Sequence, residues 1–380
     1  MMKSLIIESW RFIPHSFALV NQFHCLELLK RTEIKLYHRD MPYLGNYWQS
    51  ASGLFPENDE TLLHSIPVPT PTQIADVTFR FTFPFNLSPS TSSKTIVMGV
   101  ANYAMVKDSA FIGAISLQEA TQRPDLILLA PSEWSREGFI RSGAAPDRVF
   151  VVPHGVDTEV FGPLLREQRN TLRASMHWEN SFVFLHIGAM TGNKGILGLL
   201  KAFSQVVARH PNALLILKGI DSLYRSQDFL QHTLQNLSEH ERHTVESHIG
   251  YIGGVLPLRE LAKLYQAADV YLSPYSAEGF NLPVLEAIAC GLPVICTQGG
   301  PTDDFTDRTV ALHIESERQS EMFDGKTGYR LVPNQEHLTS LMEKIAMDDE
   351  LRSSLQASGP KFVSERFTWK HTVDKLLNFF

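Results

Sequence analysis

The chain has 380 residues, of which 43% are hydrophobic and 20% charged, and its formal net charge is −7. This length favours two domains, because one hydrophobic core rarely extends beyond about 250 to 300 residues. The acidic balance and the lack of a basic block in the sequence argue against nucleic-acid binding.

Cysteine usage and hydropathy indicate the compartment. Cys25, Cys290 and Cys296 show no metal-ligand spacing, which predicts a reducing environment. The apolar run near the N-terminus is far shorter than the roughly 7 to 15 residues of a signal-peptide core. No stretch approaches the ~20 apolar residues of a membrane span. We therefore expect a cytoplasmic protein whose membrane contact is at most peripheral, at the inner face of the membrane.

The first half alternates between strands and helices with irregular spacing. Apolar runs predict strands at residues 3–8, 33–38, 94–99, 125–130 and 148–157. Periodic patterns predict helices at residues 16–31 and 132–143, the second beginning at Ser132. The proline- and aromatic-rich stretch 41–89 predicts loops and a single strand.

A regular alternation of strands and helices begins at residue 181. Strands are predicted at residues 181–188, 213–219, 248–254, 269–274 and 293–297. The intervening helices are predicted at residues 195–210, 222–243 and 257–268, and a fourth follows residue 281. Repeated β-α units with continuously hydrophobic strands predict an α/β fold, with a parallel sheet covered on both faces.

The turn after strand 269–274 and the helix behind it carry two carboxylates, Glu278 and Glu286. Such turns lie at the carboxyl end of parallel strands, where open α/β sheets bind ligands. Glu286 would accept from the vicinal hydroxyls of a ribose and Glu278 from a second polyol, although the bare spacing also fits a surface charge and a loop charge. A phosphate between them would face the N–H groups of Gly279, Phe280, Asn281 and Leu282. The arrangement describes a nucleotide sugar.

The string from Glu278 onward, Glu-Gly-Phe-Asn-Leu-Pro-Val-Leu-Glu-Ala followed by Gly-Leu-Pro-Val, closely resembles the signature of retaining glycosyltransferase family 4. This family carries an E-x7-E motif on the GT-B fold. The resemblance covers nearly the whole chain from Ser132 onward and is looser before it. It implies two Rossmann-like domains facing a cleft: an acceptor-binding domain at 1–163, completed by a C-terminal helix at 364–380, and a nucleotide-sugar donor domain at 164–363.

The loop from Gly188 to Gly195 joins a strand to a helix and carries Lys194. A lysine there can neutralise a diphosphate at the helix N-terminus, and a surface lysine beside a turn is the alternative. In the family an arginine follows the first glycine and a Lys-Gly pair ends the loop. Here Ala189 replaces the arginine. The resemblance therefore makes Gly188 and Lys194 donor-site residues and assigns more of the diphosphate charge to Lys194 and backbone amides.

Two strand ends, at Lys218 and at Gly253, correspond to places where relatives seat the nucleobase by backbone contacts. Ordinary strand-terminal turns are the alternative for both. His154, in the sequence Pro-His-Gly-Val-Asp, would by the same resemblance face the interdomain cleft, or it is a packed or capping histidine.

The first loop of the chain departs from the family. Relatives carry adjacent glycines there, whereas this chain reads Ile-Pro-His-Ser-Phe. His15 is therefore a candidate catalytic residue, with a surface histidine as the alternative. Ser16 is expected to cap the next helix and to contact the donor. Asn102 stands where relatives often carry a histidine, and it is a candidate substrate-binding residue.

The resemblance implies a retaining, metal-independent transfer of a hexose from a nucleotide-diphosphate sugar. UDP-glucose is the favoured donor, no cofactor is expected, and the acceptor is a glycan or a lipid-linked acceptor in envelope or exopolysaccharide synthesis. GT-B enzymes mostly stabilise the leaving diphosphate with helix ends and cations, so Asp303, Asp304 and Asp307 are interpreted as caps or acceptor-side polar groups. The alternatives are a sugar-nucleotide epimerase or hydrolase, and a non-catalytic nucleotide-sugar binding subunit.

Overall fold

The computed structural model describes residues 2–113, 115–323 and 325–380. The described residues divide into two compact units. The first comprises Met1–Gly155, Ser320–Tyr329 and Phe367–Phe380, and the second comprises Val156–Gln319 and Arg330–Arg366. The predicted boundary between residues 163 and 164 lies slightly beyond the end of the first long segment. Sequence analysis did not anticipate that residues 320–329 belong to the first unit.

The first unit is an α/β unit with a six-stranded sheet, counted over the described residues, in the order β2-β1-β3-β5-β7-β8. The paired strands are parallel. The strands of this unit are β1 (Lys3–Ser9), β2 (Ile34–Asp40), β3 (Val77–Phe81), β4 (Phe85–Asn86), β5 (Lys94–Met98), β6 (Phe111–Ile112), β7 (Leu126–Ala130) and β8 (Val149–Val151), of which β4 and β6 form a separate two-stranded sheet. Its first helices are α1 (Ser16–Leu29), α2 (Glu57–Ser65), α3 (Leu117–Thr121) and α4 (Glu133–Arg141).

The second unit repeats this architecture with the strand order β11-β10-β9-β12-β13-β14. These strands are β9 (Phe182–Ile187), β10 (Ala213–Lys218), β11 (Ile249–Ile252), β12 (Val270–Ser273), β13 (Val294–Thr297) and β14 (Ala311–Ile314). A two-stranded sheet of β15 (Ser316–Phe323) and β16 (Lys326–Pro333) follows in the chain, and its residues 320–329 are the ones that belong to the first unit. The helices are α5 (Arg166–Ser175), α6 (Ile196–Arg209), α7 (Asp221–Tyr224), α8 (Ser226–Gln235), α9 (Glu239–Glu246), α10 (Leu258–Ala267), α11 (Leu282–Ala289), α12 (Gln335–Met347) and α13 (Asp349–Ser364).

The strand order of the second unit determines where a ligand is expected. Strands β10 and β11 extend the parallel sheet from one side of β9, and β12 to β14 extend it from the other side. The connections therefore reverse direction between β9 and β12. Open α/β sheets bind ligands at such a switch point, outside the carboxyl ends of the strands. The loops that follow β9 and β12 are the ones that carry Lys194 and Glu278.

The polar helical stretch predicted at 222–243 is helical in the structure, where it is divided into three helices, α7 to α9. Arg225 adopts a left-handed conformation with φ 46° and interrupts the first helical turn. Ser238 then begins α9 through a capping box, in which its side chain accepts from the backbone N–H of Glu241. A left-handed residue and a strong N-cap signal break a helix that periodicity alone would continue.

The C-terminal helix α14 (Trp369–Leu377) belongs to the first unit, as the resemblance implied. The Trp369 ring stacks on Phe23 of α1 with ring centroids 4.8 Å apart. Gly155 passes so close to the start of α14 that a Cβ at this position would overlap the backbone nitrogen of Trp369. In the described part of the chain, no helix combines the length and apolar character needed to cross a membrane.

Candidate functional site

The predicted strand, turn and helix around Glu278 are present as β12 and α11. Asn281 is the N-cap residue of α11 and adopts a left-handed conformation with φ 77°. Its side-chain nitrogen donates to Ser273 Oγ at the end of β12, 2.8 Å away, which fixes the turn to the strand. Pro283 occupies the first turn of the helix, where its missing N–H costs little, and Gly291 ends it with φ +70°.

The loop after β9 is bonded directly to the turn after β12. The Ser276 N–H donates to Asn193 O over 2.8 Å, and Asn193 Nδ2 donates to Ala277 O over 2.8 Å. Gly195, with φ +73°, lies where a Cβ would overlap the carbonyl oxygen of Pro274. Only glycine combines that dihedral with that close approach, so the Lys-Gly end of the loop has a structural reason.

These contacts bring Lys194 and Glu278 together. Lys194 Nζ donates to Glu278 Oε1, and the two side chains are 20% and 10% exposed. Gly188 lies beside the lysine, since a Cβ at position 188 would be 3.7 Å from Lys194 Cε. The sequence predicts that the two charges contact different parts of a donor, and their pairing was not predicted. The pair supplies one cation and one carboxylate at the N-terminus of α11, the end of a helix that favours anions.

Glu286 is held inside the same unit by a tyrosine. Its Oε2 accepts from the Tyr265 hydroxyl at 2.7 Å, and the glutamate is 8% exposed. Burial raises the pKa of Glu286 to about 7, and the hydrogen bond from Tyr265 opposes that rise. If both oxygens of Glu286 bind the ribose as predicted, Oε2 must accept from a ribose hydroxyl and from Tyr265 at the same time. Tyr265 was not predicted as a site residue, because its only signal in the sequence was a position on the apolar face of its helix.

The predicted nucleobase region contains more side-chain chemistry than sequence analysis expected. Lys218 is buried, its Nζ donates to Gly219 O, and burial lowers its pKa to about 8 while nearby Asp221 opposes the shift. Tyr251 donates to Asp221 Oδ1 at 2.6 Å. A Cβ at Gly253 would overlap Asp221 Oδ2, so this glycine lets the carboxylate lie against the end of β11.

His186, in β9, is a further polar residue that sequence analysis overlooked. It is 2% exposed, and its Nδ1 lies 2.8 Å from Leu272 O, which requires the proton on Nδ1. Nε2 has no hydrogen-bond partner among the described residues, and it faces Gly188, the first residue of the loop that carries Lys194. Burial lowers the pKa of His186 to about 4. The signal was a histidine within an otherwise apolar strand.

In the first unit, the structure corrects the predicted helix cap. His15, not Ser16, is the N-cap residue of α1, because His15 Nδ1 accepts from the Phe17 N–H at 3.1 Å. The imidazole lies against the indole of Trp10, with ring centroids 5.1 Å apart. Burial lowers the pKa of His15 to about 4, so the ring is neutral at pH 7. Ser16 is exposed as the first helical residue, and its contact with the donor stays a prediction.

His154 and Asn102 have very different surroundings in the first unit. His154 is 5% exposed and lies against Phe81 and Trp369, with centroid distances of 6.0 and 6.3 Å. This geometry favours the packed-histidine alternative over a substrate contact. Asn102 is exposed after β5, and its backbone oxygen accepts from Trp134 Nε1 at 2.9 Å. Substrate binding by its side chain stays a prediction.

The acidic residues after β13 form local contacts. Asp303 Oδ2 accepts from the Gly299 N–H at 2.8 Å, and Asp307 Oδ1 accepts from the Thr309 N–H at 2.8 Å. Over residues 2–113, 115–323 and 325–380, no group of three or more His, Cys, Asp or Glu side chains is arranged to hold a metal ion. The metal-independence of the reaction stays a prediction.

Comparison with known proteins gives the family. The profile of the glycosyl transferases group 1 family matches residues 168–362, about half of the chain and nearly all of the second unit. The chain therefore belongs to this family.

Two curated relatives illustrate the similarity. A D-inositol 3-phosphate glycosyltransferase of Paenarthrobacter aurescens is 33% identical over 184 residues, which cover 48% of this chain and 43% of the relative. An O-antigen chain mannosyltransferase B of Escherichia coli is 35% identical over 188 residues, covering 48% of this chain and 45% of the relative. The chain thus spans less than half the length of these two relatives.

Solved structures show the fold across the full chain. HepE of Anabaena, crystallised with UDP and glucose, superimposes with a TM-score of 0.70 at 16% identity, covering 100% of this chain and 99% of HepE. WaaG, a glycosyltransferase involved in lipopolysaccharide biosynthesis, gives a TM-score of 0.65 at 16% identity, covering 98% of each chain. The fold is GT-B, with two Rossmann-like domains, as predicted.

Proposed function

We propose that this protein is a retaining, metal-independent glycosyltransferase that moves a hexose from a nucleotide-diphosphate sugar to a hydroxyl group. The observation that carries the proposal is the Lys194 and Glu278 pair at the switch point of the second unit, beside the N-terminus of α11. A cation and a helix N-terminus suit a diphosphate, and a carboxylate suits sugar hydroxyls. Membership of the glycosyl transferases group 1 family supports the same reaction class.

The central physical task is to stabilise the departing diphosphate. In a retaining transfer, the acceptor hydroxyl attacks the sugar from the same face that the diphosphate leaves. Interactions that strengthen as charge develops on the leaving group accelerate this step. Lys194 and the first backbone amides of α11 would supply them. Glu278 would hold the sugar, and Glu286 would bind the ribose. Because Ala189 leaves the loop without the arginine usual in family 4, Lys194 carries most of the side-chain charge.

UDP-glucose is the donor that we favour, and the acceptor is proposed to be a glycan or a lipid-linked acceptor in envelope or exopolysaccharide synthesis. HepE, which is similar to this chain in fold, was crystallised with UDP-glucose, and this similarity supports UDP-glucose as the donor to test first. Other relatives use different sugars by name, including a GDP-mannose-dependent mannosyltransferase of Corynebacterium glutamicum, 25% identical over 236 residues. GDP-mannose is therefore the competing donor that a test must include.

A donor panel tests the proposal. Thermal unfolding and calorimetry with UDP-glucose, UDP-galactose, UDP-N-acetylglucosamine and GDP-mannose would identify the bound donor, since a ligand that binds only the folded state raises apparent stability. Turnover of the bound donor is then followed by NMR with and without glycan acceptors, and NMR also reports the anomeric configuration of the product. Transfer with retention is the expected result.

The same experiment addresses the two alternatives. Free sugar or an isomerised donor without acceptor would indicate a hydrolase or an epimerase. Tight donor binding without any turnover would indicate a binding subunit, an alternative that Ala189 and Asn102 keep open because both replace residues common in family 4. Failure of every nucleotide sugar to bind would contradict the proposal itself.

A further inference from the structure

A buried hydrogen bond joins α10 to α11 in the second unit. The Tyr265 hydroxyl donates to Glu286 Oε2 at 2.7 Å, and the tyrosine is only 1% exposed. Its ring is packed by Phe161, edge to face at a centroid distance of 5.9 Å, and by Tyr271 at 5.7 Å. Because these rings leave the phenol little freedom to turn, its hydroxyl is a fixed donor to one oxygen of the carboxylate.

We propose that Tyr265 is the positioning residue that orients Glu286 toward a nucleotide ribose and keeps its carboxylate ready to accept two hydroxyl hydrogens. A carboxylate has about four acceptor positions, and Tyr265 uses one of them on Oε2. Oε1 and the remaining position on Oε2 are left for two vicinal hydroxyls. Tyr265 itself touches no reacting atom. The inference rests on the proposed function, since it takes Glu286 as the ribose ligand.

The groups around Glu286 explain why its carboxylate needs a fixed hydrogen-bond donor. The titratable residues whose pKa the Glu286 carboxylate raises are Tyr265 from α10, Tyr271 from β12 and Cys290, the C-cap residue of α11. Burial raises the pKa of each of these three side chains well above its ordinary value, so all three are neutral at pH 7. Glu278 also acts on Tyr271, adding negative charge on that side.

Where helix α13 meets α11, its Gly359 lies against the carbonyl oxygen of Ile288. The hydrogen bond from Tyr265 is therefore the interaction that favours the ionised form of Glu286, against burial, which raises its pKa to about 7. Without the hydroxyl, burial acts unopposed and the carboxyl group takes up a proton at higher pH. A protonated Glu286 has fewer acceptor positions for a ribose.

The test is Tyr265→Phe, with UDP as the probe and calorimetric affinity measured from pH 6 to pH 9. Wild-type affinity is expected to fall as the pH drops below about 7. In Tyr265→Phe the midpoint should move upward by about one pH unit, with affinity about fivefold weaker at pH 7 and recovering at pH 9. Recovery at high pH separates a lost hydrogen bond from general damage to the fold.

The matched control is Tyr275→Phe. Tyr275 is equally buried in the same unit, but its hydroxyl contacts Thr302 Oγ1 at 2.7 Å instead of Glu286. This variant should keep the wild-type pH profile. A Tyr265→Phe profile with an unshifted midpoint, at any affinity, would overturn the positioning role.

Two further measurements separate this inference from the proposed function. If Glu286→Gln binds UDP like wild type at pH 9, the ribose assignment itself fails. If Glu286→Gln weakens UDP while Tyr265→Phe keeps the wild-type midpoint, only the positioning role fails. Should Tyr265→Phe not fold, wild-type calorimetry in buffers of different ionisation enthalpy still decides. Binding of uridine, which has the ribose hydroxyls but no phosphate to titrate, should release a proton from Glu286 near pH 6.5, and binding without proton release would contradict the inference.

Discussion

Lys194 Nζ donates directly to Glu278 Oε1 in the second unit, so the cation expected at the diphosphate and the carboxylate expected at the sugar are hydrogen-bonded partners. Both side chains are mostly buried. A bound donor can engage both charges either through their remaining hydrogen-bonding positions or by replacing this contact with contacts of its own. Replacing either residue alone also leaves the other charge in a poorly hydrated place, which makes each single substitution informative.

Lys194→Ala is expected to reduce turnover by ~10²- to 10³-fold at saturating donor, because a cation beside a developing diphosphate charge acts mainly in the transition state. Lys263→Ala is the control, since Lys263 also pairs with a glutamate, Glu260, at 2.6 Å, but on the surface of α10. It should keep wild-type turnover. Ala189→Arg should restore part of the activity lost in Lys194→Ala.

If Lys194→Ala keeps more than half of wild-type turnover, another group neutralises the diphosphate. His15, Arg11 and His154 of the first unit are then the first residues to test, and of these Arg11 carries a charge, because burial lowers the pKa of His15 to about 4 and that of His154 to about 3. Arg11 already forms a bidentate pair with Asp40, with Nε and Nη2 at 2.8 and 2.7 Å from its oxygens.

Glu278→Gln should lower turnover with a nucleotide sugar far more than it lowers the affinity for UDP, because Glu278 is proposed to contact the sugar and not the nucleotide. Initial rates with UDP-glucose and calorimetry with UDP measure the two effects separately. Equal losses in both measurements would place Glu278 on the nucleotide side of the site.

Glu286→Gln should make the folded protein more stable at pH 8 while weakening UDP by at least tenfold. The native pKa of Glu286 is about 7, above its ordinary value of 4.5. Between these values the native state binds more protons than the unfolded state, so stability falls as the pH rises through this window. Each pKa unit corresponds to about 1.4 kcal/mol. Glutamine does not ionise and avoids this loss.

Urea denaturation of Glu286→Gln and wild type at pH 5 and pH 8 checks this prediction. The variant should gain stability relative to wild type mainly at pH 8. Glu260→Gln, at an exposed glutamate of α10, is the control and should show a difference from wild type that does not depend on pH. Parallel curves for Glu286→Gln and wild type would show that Glu286 is not protonated near neutral pH.

EDTA should leave turnover largely unchanged, because Lys194 and the N-terminus of α11 are proposed to stabilise the leaving diphosphate. The measurement is the initial rate of transfer before and after chelation, followed by addition of Mg²⁺ or Mn²⁺. A strict requirement for either ion would make Asp303 and Asp304 the first candidate ligands.

Local patterns in the sequence predicted much of the fold and the donor site. Continuous apolar strands, the first-turn proline at Pro283 and the glycine at Gly291 predicted β12, α11 and the turn that carries Glu278. These signals work because each one depends on the backbone of its own segment. The GT-B fold was likewise predictable, since the resemblance around Glu278 extends over most of the second unit.

Contacts between distant segments were not predictable in the same way. The bonds from Asn193 to Ser276 and Ala277, which bring Lys194 to Glu278, join loops about eighty residues apart in sequence. Tyr265 looked like an ordinary apolar-face residue until the position of α10 beside α11 was known. At the start of α1, serine is the usual capping residue, but the neighbouring His15 supplies the acceptor. Each case depends on tertiary geometry that a local pattern does not encode.

A crystal structure of the protein with UDP-glucose tests the central claim most directly. The predicted result is that Lys194 Nζ contacts a phosphate oxygen, while Glu278 accepts from sugar hydroxyls and Glu286 from the ribose hydroxyls. A structure in which UDP-glucose binds elsewhere, with Lys194 still bonded to Glu278 alone, would contradict the account.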